Sequence, residues 1–176
     1  MKKFLAIILA LVTVVAASAC GAESAPEAAE PDAEADNAAA PAIGDELYFD
    51  YRGTVIAVHA EAAPILAVLG EPMSCTEQPS CAFQGLDRSY YFGSFYLETY
   101  EKDGAEYVSG FWFVDDTVQT PEGIYIGSAQ AEVEQAYGAD AFNGTNAYSL
   151  RRGDSKLTVI LTDGAVSSIQ YTYASM

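Results

Sequence analysis

The stretch RSYYFGSFYLETYEKDGAEYVSGFWFV, residues 88–114, decides how the folded part of this chain is read. Tyrosine, phenylalanine, valine and tryptophan dominate it, and such side chains suit a pleated, half-buried surface. It divides into extended runs at 88–92, 95–101 and 107–114, with Lys102-Asp103-Gly104 as a hairpin turn signal between the last two. Alternation puts Phe95, Leu97 and Thr99 on one face and Tyr96, Glu98 and Tyr100 on the other. In the following run Tyr107, Phe111 and Phe113 oppose Val108, Gly110 and Trp112. The first set of each run is the expected core. Tyr96, Tyr100 and Trp112 are then expected to line an open face, joined by Tyr171 and Tyr173 from a later run. Tyrosine and tryptophan suit recognition there, because each has an apolar body and a polar tip.

Working outward, residues 47–58 read as extended structure with a bend at Gly53. Residues 61–69 read as a short helix. Ala62, Ile65, Leu66 and Leu69 fall at helical spacing, Pro64 fits a first turn, and Gly70 and Pro72 stop it. Cys75 and Cys81 follow, with Pro79 and polar residues between them. Their loop suits a structural disulfide worth about 2–2.5 kcal/mol on chain-entropy grounds. A short strand is expected at 82–84.

The pattern then begins again. Thr120-Pro121-Glu122-Gly123 is a turn and 124–126 a short extended piece. Ser128 is placed to cap a helix over 129–137, stopped by Gly138. Extended runs at 147–150, 157–162 and 166–173 are separated by turns at Gly153-Asp154 and Asp163-Gly164. Both halves read as bend, helix ending in glycine, then meander. The expected fold is therefore α+β. Two tandem helix-plus-antiparallel-meander units, about 44–116 and 117–176, would form one curved sheet with short helices on one face.

That element order resembles tandem-repeat exported proteins of the β-lactamase inhibitor protein type. The stretch from Ile124 through Gly127-Ser128 and Val133 to Tyr137-Gly138 is similar to the helix entry of small outer-membrane assembly lipoproteins of the SmpA/OmlA type. Both resemblances imply binding or scaffolding rather than catalysis.

The N-terminus speaks to location. Lys2 and Lys3 precede an apolar run over 4–15, broken only by Thr13, and small residues follow. This is the build of a secretory signal, over 1–19. Ala17-Ser18-Ala19-Cys20 resembles a bacterial lipobox, although Ala17 stands where leucine is commoner. The resemblance implies lipidation of Cys20 and cleavage before it. Stable anchoring takes at least two acyl chains, each buried methylene contributing about 0.8 kcal/mol. Plain secretion and an uncleaved membrane helix are the alternatives. Residues 20–43 carry acids, alanines and Pro26, Pro31 and Pro41 but no base, so they read as a tether ahead of the domain at 44–176.

The chain has 25 acidic and eight basic residues, a formal charge of −17. Loss of Lys2 and Lys3 with the signal leaves six bases. Such a surface repels nucleic acid. His59 is the single histidine, which leaves little for a triad or a zinc site, and no catalytic or cofactor-binding pattern is present. Asp115, Asp116 and Glu122 match no calcium loop and read as a solvated strand end. Paired carboxylates for glycoside cleavage are not selected by any spacing. The expectation is a non-enzymatic binding or envelope-assembly module on the extracytoplasmic membrane face. It would need no cofactor or metal and would contact a protein, peptide or cell-wall ligand. The alternatives are an exported carboxylate hydrolase and a purely structural envelope protein.

Overall fold

Tight two-residue turns fix the strand pairing. Arg52-Gly53, Asp103-Gly104 and Asp163-Gly164 all have positive φ at both positions, between 54° and 84°, as type I′ hairpin turns require. The computed structural model describes residues 46–82 and 84–174. The expected signal segment 1–19, Cys20 and the tether to residue 43 lie outside the described residues. Elements follow in the order β1 Tyr48–Tyr51, β2 Thr54–Ala57, α1 Ala62–Leu69, β3 Ser74–Pro79, β4 Leu86–Tyr91, β5 Phe95–Lys102 and β6 Ala105–Phe113. Then come α2 Gln130–Tyr137, β7 Ala147–Arg152, β8 Ser155–Thr162 and β9 Ala165–Tyr173. β1 and β2 form a separate hairpin, and the other strands form one antiparallel sheet in the order β3-β4-β5-β6-β9-β8-β7.

The seam between β6 and β9 is short. It registers Gly110 with Thr172, Phe111 with Tyr171 and Trp112 with Gln170. Phe111 and Tyr171 stack across it at 4.4 Å. Phe49, fully buried on β1, then meets Phe95, Phe111 and Phe113 at 5.1, 4.9 and 5.0 Å. The Leu47 amide donates to Ser155 Oγ at 2.8 Å, which ties the hairpin to β8. Ala62 and Ile65 of α1 and Val133 of α2 join the same core. Among the described residues, no helix is long and apolar enough to cross a membrane.

This overturns the expected α+β plan of tandem helix-plus-meander units. Strand makes up 48% of the structure and helix 12%. The reason lies in what covers the sheet. Each helix has only eight residues. Few of their side chains reach the core, and the β1–β2 hairpin supplies Leu47, Phe49 and Ile56 instead. That hairpin has no counterpart in the second half, where 124–126 pairs as no strand.

Alternation also fails at one residue. Glu98 pairs with Gly110 and Thr99 with Val108, so Ser109 is left over as a β-bulge. The bulge reverses the faces before it. Val108, expected outside, is fully buried, while Tyr107, expected inside, is only half-buried. At the helix entries, Ala129 rather than Ser128 is the cap residue of α2. The Glu132 carboxylate accepts from the Ala129 amide at 2.7 Å, while Ser128 Oγ accepts from the Tyr125 amide at 3.2 Å.

Gly110 is where the seam is least tolerant. A Cβ there would sit 2.5 Å from the Tyr171 carbonyl oxygen, a backbone atom that cannot swing aside. Gly110→Ala is expected to destabilise the protein by about 1–3 kcal/mol, the usual cost of overpacking. Phe49→Ala is expected to cost about 3–5 kcal/mol. Denaturant midpoints check both, and an unchanged midpoint for Gly110→Ala would show that the strands can part at no cost.

Candidate binding face

Covering one face of the sheet leaves the other to solvent, and strand register gathers its side chains into rows. Residues directly opposite one another in neighbouring strands share a face. One row runs through all seven strands as Ser74, Tyr91, Tyr96, Trp112, Gln170, Thr158 and Ser149. The next runs as Thr76, Ser89, Glu98, Gly110, Thr172, Lys156 and Arg151. Tyr96 is sandwiched between Tyr91 at 4.6 Å and Trp112 at 4.8 Å. All three are half-buried.

Two cavities open on this face. The first, about 420 Å³, is lined by Thr76, Gln78, Asp87, Ser89, Glu98 and Ser109. The second, about 390 Å³, lies beside Trp112 over Gly110, with Gln170, Thr172 and Tyr173 around it. Glu98 and Ser109 border both. Burial pushes the Glu98 carboxyl above its ordinary value. The nearby Asp87 charge adds to this and a Ser89 hydrogen bond opposes it.

The expected site residues are only partly brought together. Tyr96 and Trp112 are on the face, with Tyr91 as a third ring that alternation within one strand did not single out. Tyr171 is not there: it is 1% exposed and stacked in the core on Phe111. Tyr100 is also 1% exposed. It is enclosed by Tyr107 and Tyr173 and shares a 2.7 Å hydrogen bond with His59 Nδ1. Burial, then Tyr173 and Tyr107, push its hydroxyl up to about 12. Tyr173 is half-buried, stacks on His59 at 5.0 Å and borders the second cavity. His59 therefore serves an aromatic cluster, stacked among Tyr100, Tyr107 and Tyr173.

Asp115 accepts from the Thr117 hydroxyl at 2.6 Å and amide at 2.9 Å, which hold its carboxyl below the usual value. Glu122 accepts from the Tyr137 hydroxyl at 2.8 Å. No group of three or more metal-ligating side chains occurs among the described residues. Cys75 and Cys81 are exposed free thiols, so the expected disulfide is corrected. Cys75 lies in β3, whose ladder continues through the Ser80 amide to the Gly85 carbonyl. At about 3.3 Å per residue, Cys75 and Ser80 stand roughly 16 Å apart, which keeps Cys81 at least about 12 Å away. A disulfide needs Cα atoms within about 7 Å. Burial and the Glu77 charge raise the Cys75 thiol above its ordinary value.

No protein-family model matches the chain, and no curated protein matches it in sequence. A solved structure of a cysteine-rich secretory protein from Staphylococcus aureus aligns over 68% of this chain at 13% identity, with a TM-score of 0.42. The match covers 45% of that chain, less than half its length.

Two measurements test the site's chemistry. An ionised Glu98 opposes folding above its raised pKa, and this cost disappears as pH falls through that pKa to the ordinary carboxyl value. Glu98→Gln is thus expected to raise stability at neutral pH and to match wild type near about pH 3, where carboxyls are protonated in both states. Lower stability at neutral pH would mean that the carboxylate is held by a favourable partner. For the thiols, Cys75→Ser with Cys81→Ser is expected to cost less than about 0.5 kcal/mol, as surface changes do. A loss of about 2 kcal/mol under non-reducing conditions would restore the disulfide.

Proposed function

We propose that this chain is a lipid-anchored, extracytoplasmic, non-enzymatic binding module whose open sheet face holds a protein, peptide or cell-wall ligand. The observation that carries the reading is the Tyr91–Tyr96–Trp112 stack, whose Trp112 lines one of two adjoining cavities that share Glu98 and Ser109. Convergent polar groups beside an aromatic wall are what a recognition site needs. The charged N-terminal start, the apolar run and Cys20 after small residues support export and anchoring. The acidic composition speaks against nucleic acid as the ligand.

One observation favours the hydrolase reading as second choice. Asp87 and Glu98 share a cavity, and Glu98 is the carboxyl whose environment favours the protonated, acid form. The two readings separate experimentally. Trp112 is the sole tryptophan, so its emission reports occupancy of the face directly. Titration with soluble cell-wall fragments is expected to give a saturable change that Tyr96→Ala weakens about tenfold or more, in the range of interface anchors. Turnover of those fragments, lost in Glu98→Gln with binding retained, would replace the binding-module reading with the enzyme. For the anchor, mass spectrometry of the native protein is expected to find diacylated Cys20 at its N-terminus, and an intact Met1 would refute it.

A further inference from the structure

The charged row of the open face narrows the ligand, and this step rests on the binding-face reading above. Its members are not mixed at random. Glu98 on β5 has Asp87 near it on the acid side, Gly110 on β6 contributes no side chain, and Lys156 and Arg151 follow on β8 and β7. Among the described residues the ion pairs all belong to Arg88, and none involves Lys156 or Arg151. Lys156 and Arg151 stand directly opposite each other on neighbouring strands, on the face where the aromatic rings are.

We propose that the face takes a short, extended peptide with a free ammonium and a free carboxylate, the ammonium at Glu98 and Asp87 and the carboxylate at Lys156 and Arg151. Glu98 and Lys156 are three strand steps apart, about 14 Å, and Arg151 is one step of about 5 Å further. An extended peptide gains about 3.3 Å per residue, so four or five residues span that gap. Gly110 lines the second cavity without a side chain of its own. Trp112 walls one side for an apolar side chain. The Gln170 amide and the Thr172 and Ser109 hydroxyls supply donors and acceptors for the peptide groups. A neutral glycan would stack on the same wall but makes no use of opposite charges at the two ends of the row. A polyanion is repelled by the acid end.

The test uses the full-length protein in detergent micelles, the emission of Trp112 as readout, and penta-alanine as probe in four forms: unblocked, N-acetylated, C-amidated and blocked at both ends. Chitopentaose serves as the neutral glycan. The unblocked peptide is expected to bind tightest, with each block weakening it about five- to tenfold, as for loss of one charge-assisted contact. Glu98→Gln is expected to abolish the effect of acetylation only. Lys156→Gln with Arg151→Gln is expected to abolish the effect of amidation only. Four peptides binding equally would overturn the proposal. So would chitopentaose changing the emission when no peptide does, while leaving the binding-face reading in place. Silence of Trp112 toward every probe, the peptides, chitopentaose and cell-wall fragments alike, would take down both.

Discussion

The Phe111–Tyr171 stack across the β6–β9 seam is the contact on which the architecture turns. Three registered residue pairs hold the four strands β3 to β6 against the three strands β7 to β9. So short a ladder contributes little by itself, since a hydrogen bond made on folding nets only about 1 kcal/mol. What holds the seam is beneath it. Phe49 packs onto Phe95, Phe111 and Phe113, and an aromatic pair adds about 0.5–1.5 kcal/mol to the burial of its area. The same seam dictates the open face. Phe111 points to the core, so its neighbours Gly110 and Trp112 must point away, and pairing with Thr172 and Gln170 completes both rows.

Among the described residues, the sheet also has two edge strands. β3 and β7 carry the unpaired backbone groups that invite another strand. Every residue of β3 is exposed, but Pro79 lacks an amide and Glu77 places a charge on the edge. β7 ends in Arg151 and Arg152. These are the devices by which a soluble sheet blunts its edges. The overall acidity acts in the same direction by repelling other copies of the chain.

Local features were legible because local chemistry decides them. Asp103-Gly104 and Asp163-Gly164 adopt the positive φ that such dipeptides favour, and both helices end at the glycines expected to stop them. Long-range features were not. Nothing near β6 announces that β9 will be its neighbour, so the two rows emerge only once the sheet is assembled. The bulge at Ser109 is invisible to a period-two count, which put Tyr107 in the core and Val108 outside. Tyr100 obeys the count, yet His59, arriving from the end of β2, covers it. The spacing of Cys75 and Cys81 suggested a closed loop because the intervening residues are polar and include Pro79. In fact they form an edge strand, where both properties are equally at home.

The placement of the bases differs between the two faces. Arg88 reaches Glu106 at 3.4 Å, Glu77 at 3.8 Å and Glu101 at 3.9 Å. Its row partners are Glu77 and Thr99, so it lies on the face opposite Ser89 and Glu98. Glu106 also accepts from Tyr90 at 2.8 Å and from Thr99. That network relieves crowding among three acids at the margin of the core, and a partly solvated pair of this kind contributes no more than about 1 kcal/mol. On the open face the arrangement is reversed. Glu98 sits beside Asp87 where burial disfavours its charge, and Lys156 and Arg151 stand together without an ion pair among the described residues. Moving one of those bases beside Glu98 would ease both ends at once. A sheet that neutralises acids on one side and keeps opposite charges apart on the other retains, on that second side, a field that a ligand of matching polarity can satisfy.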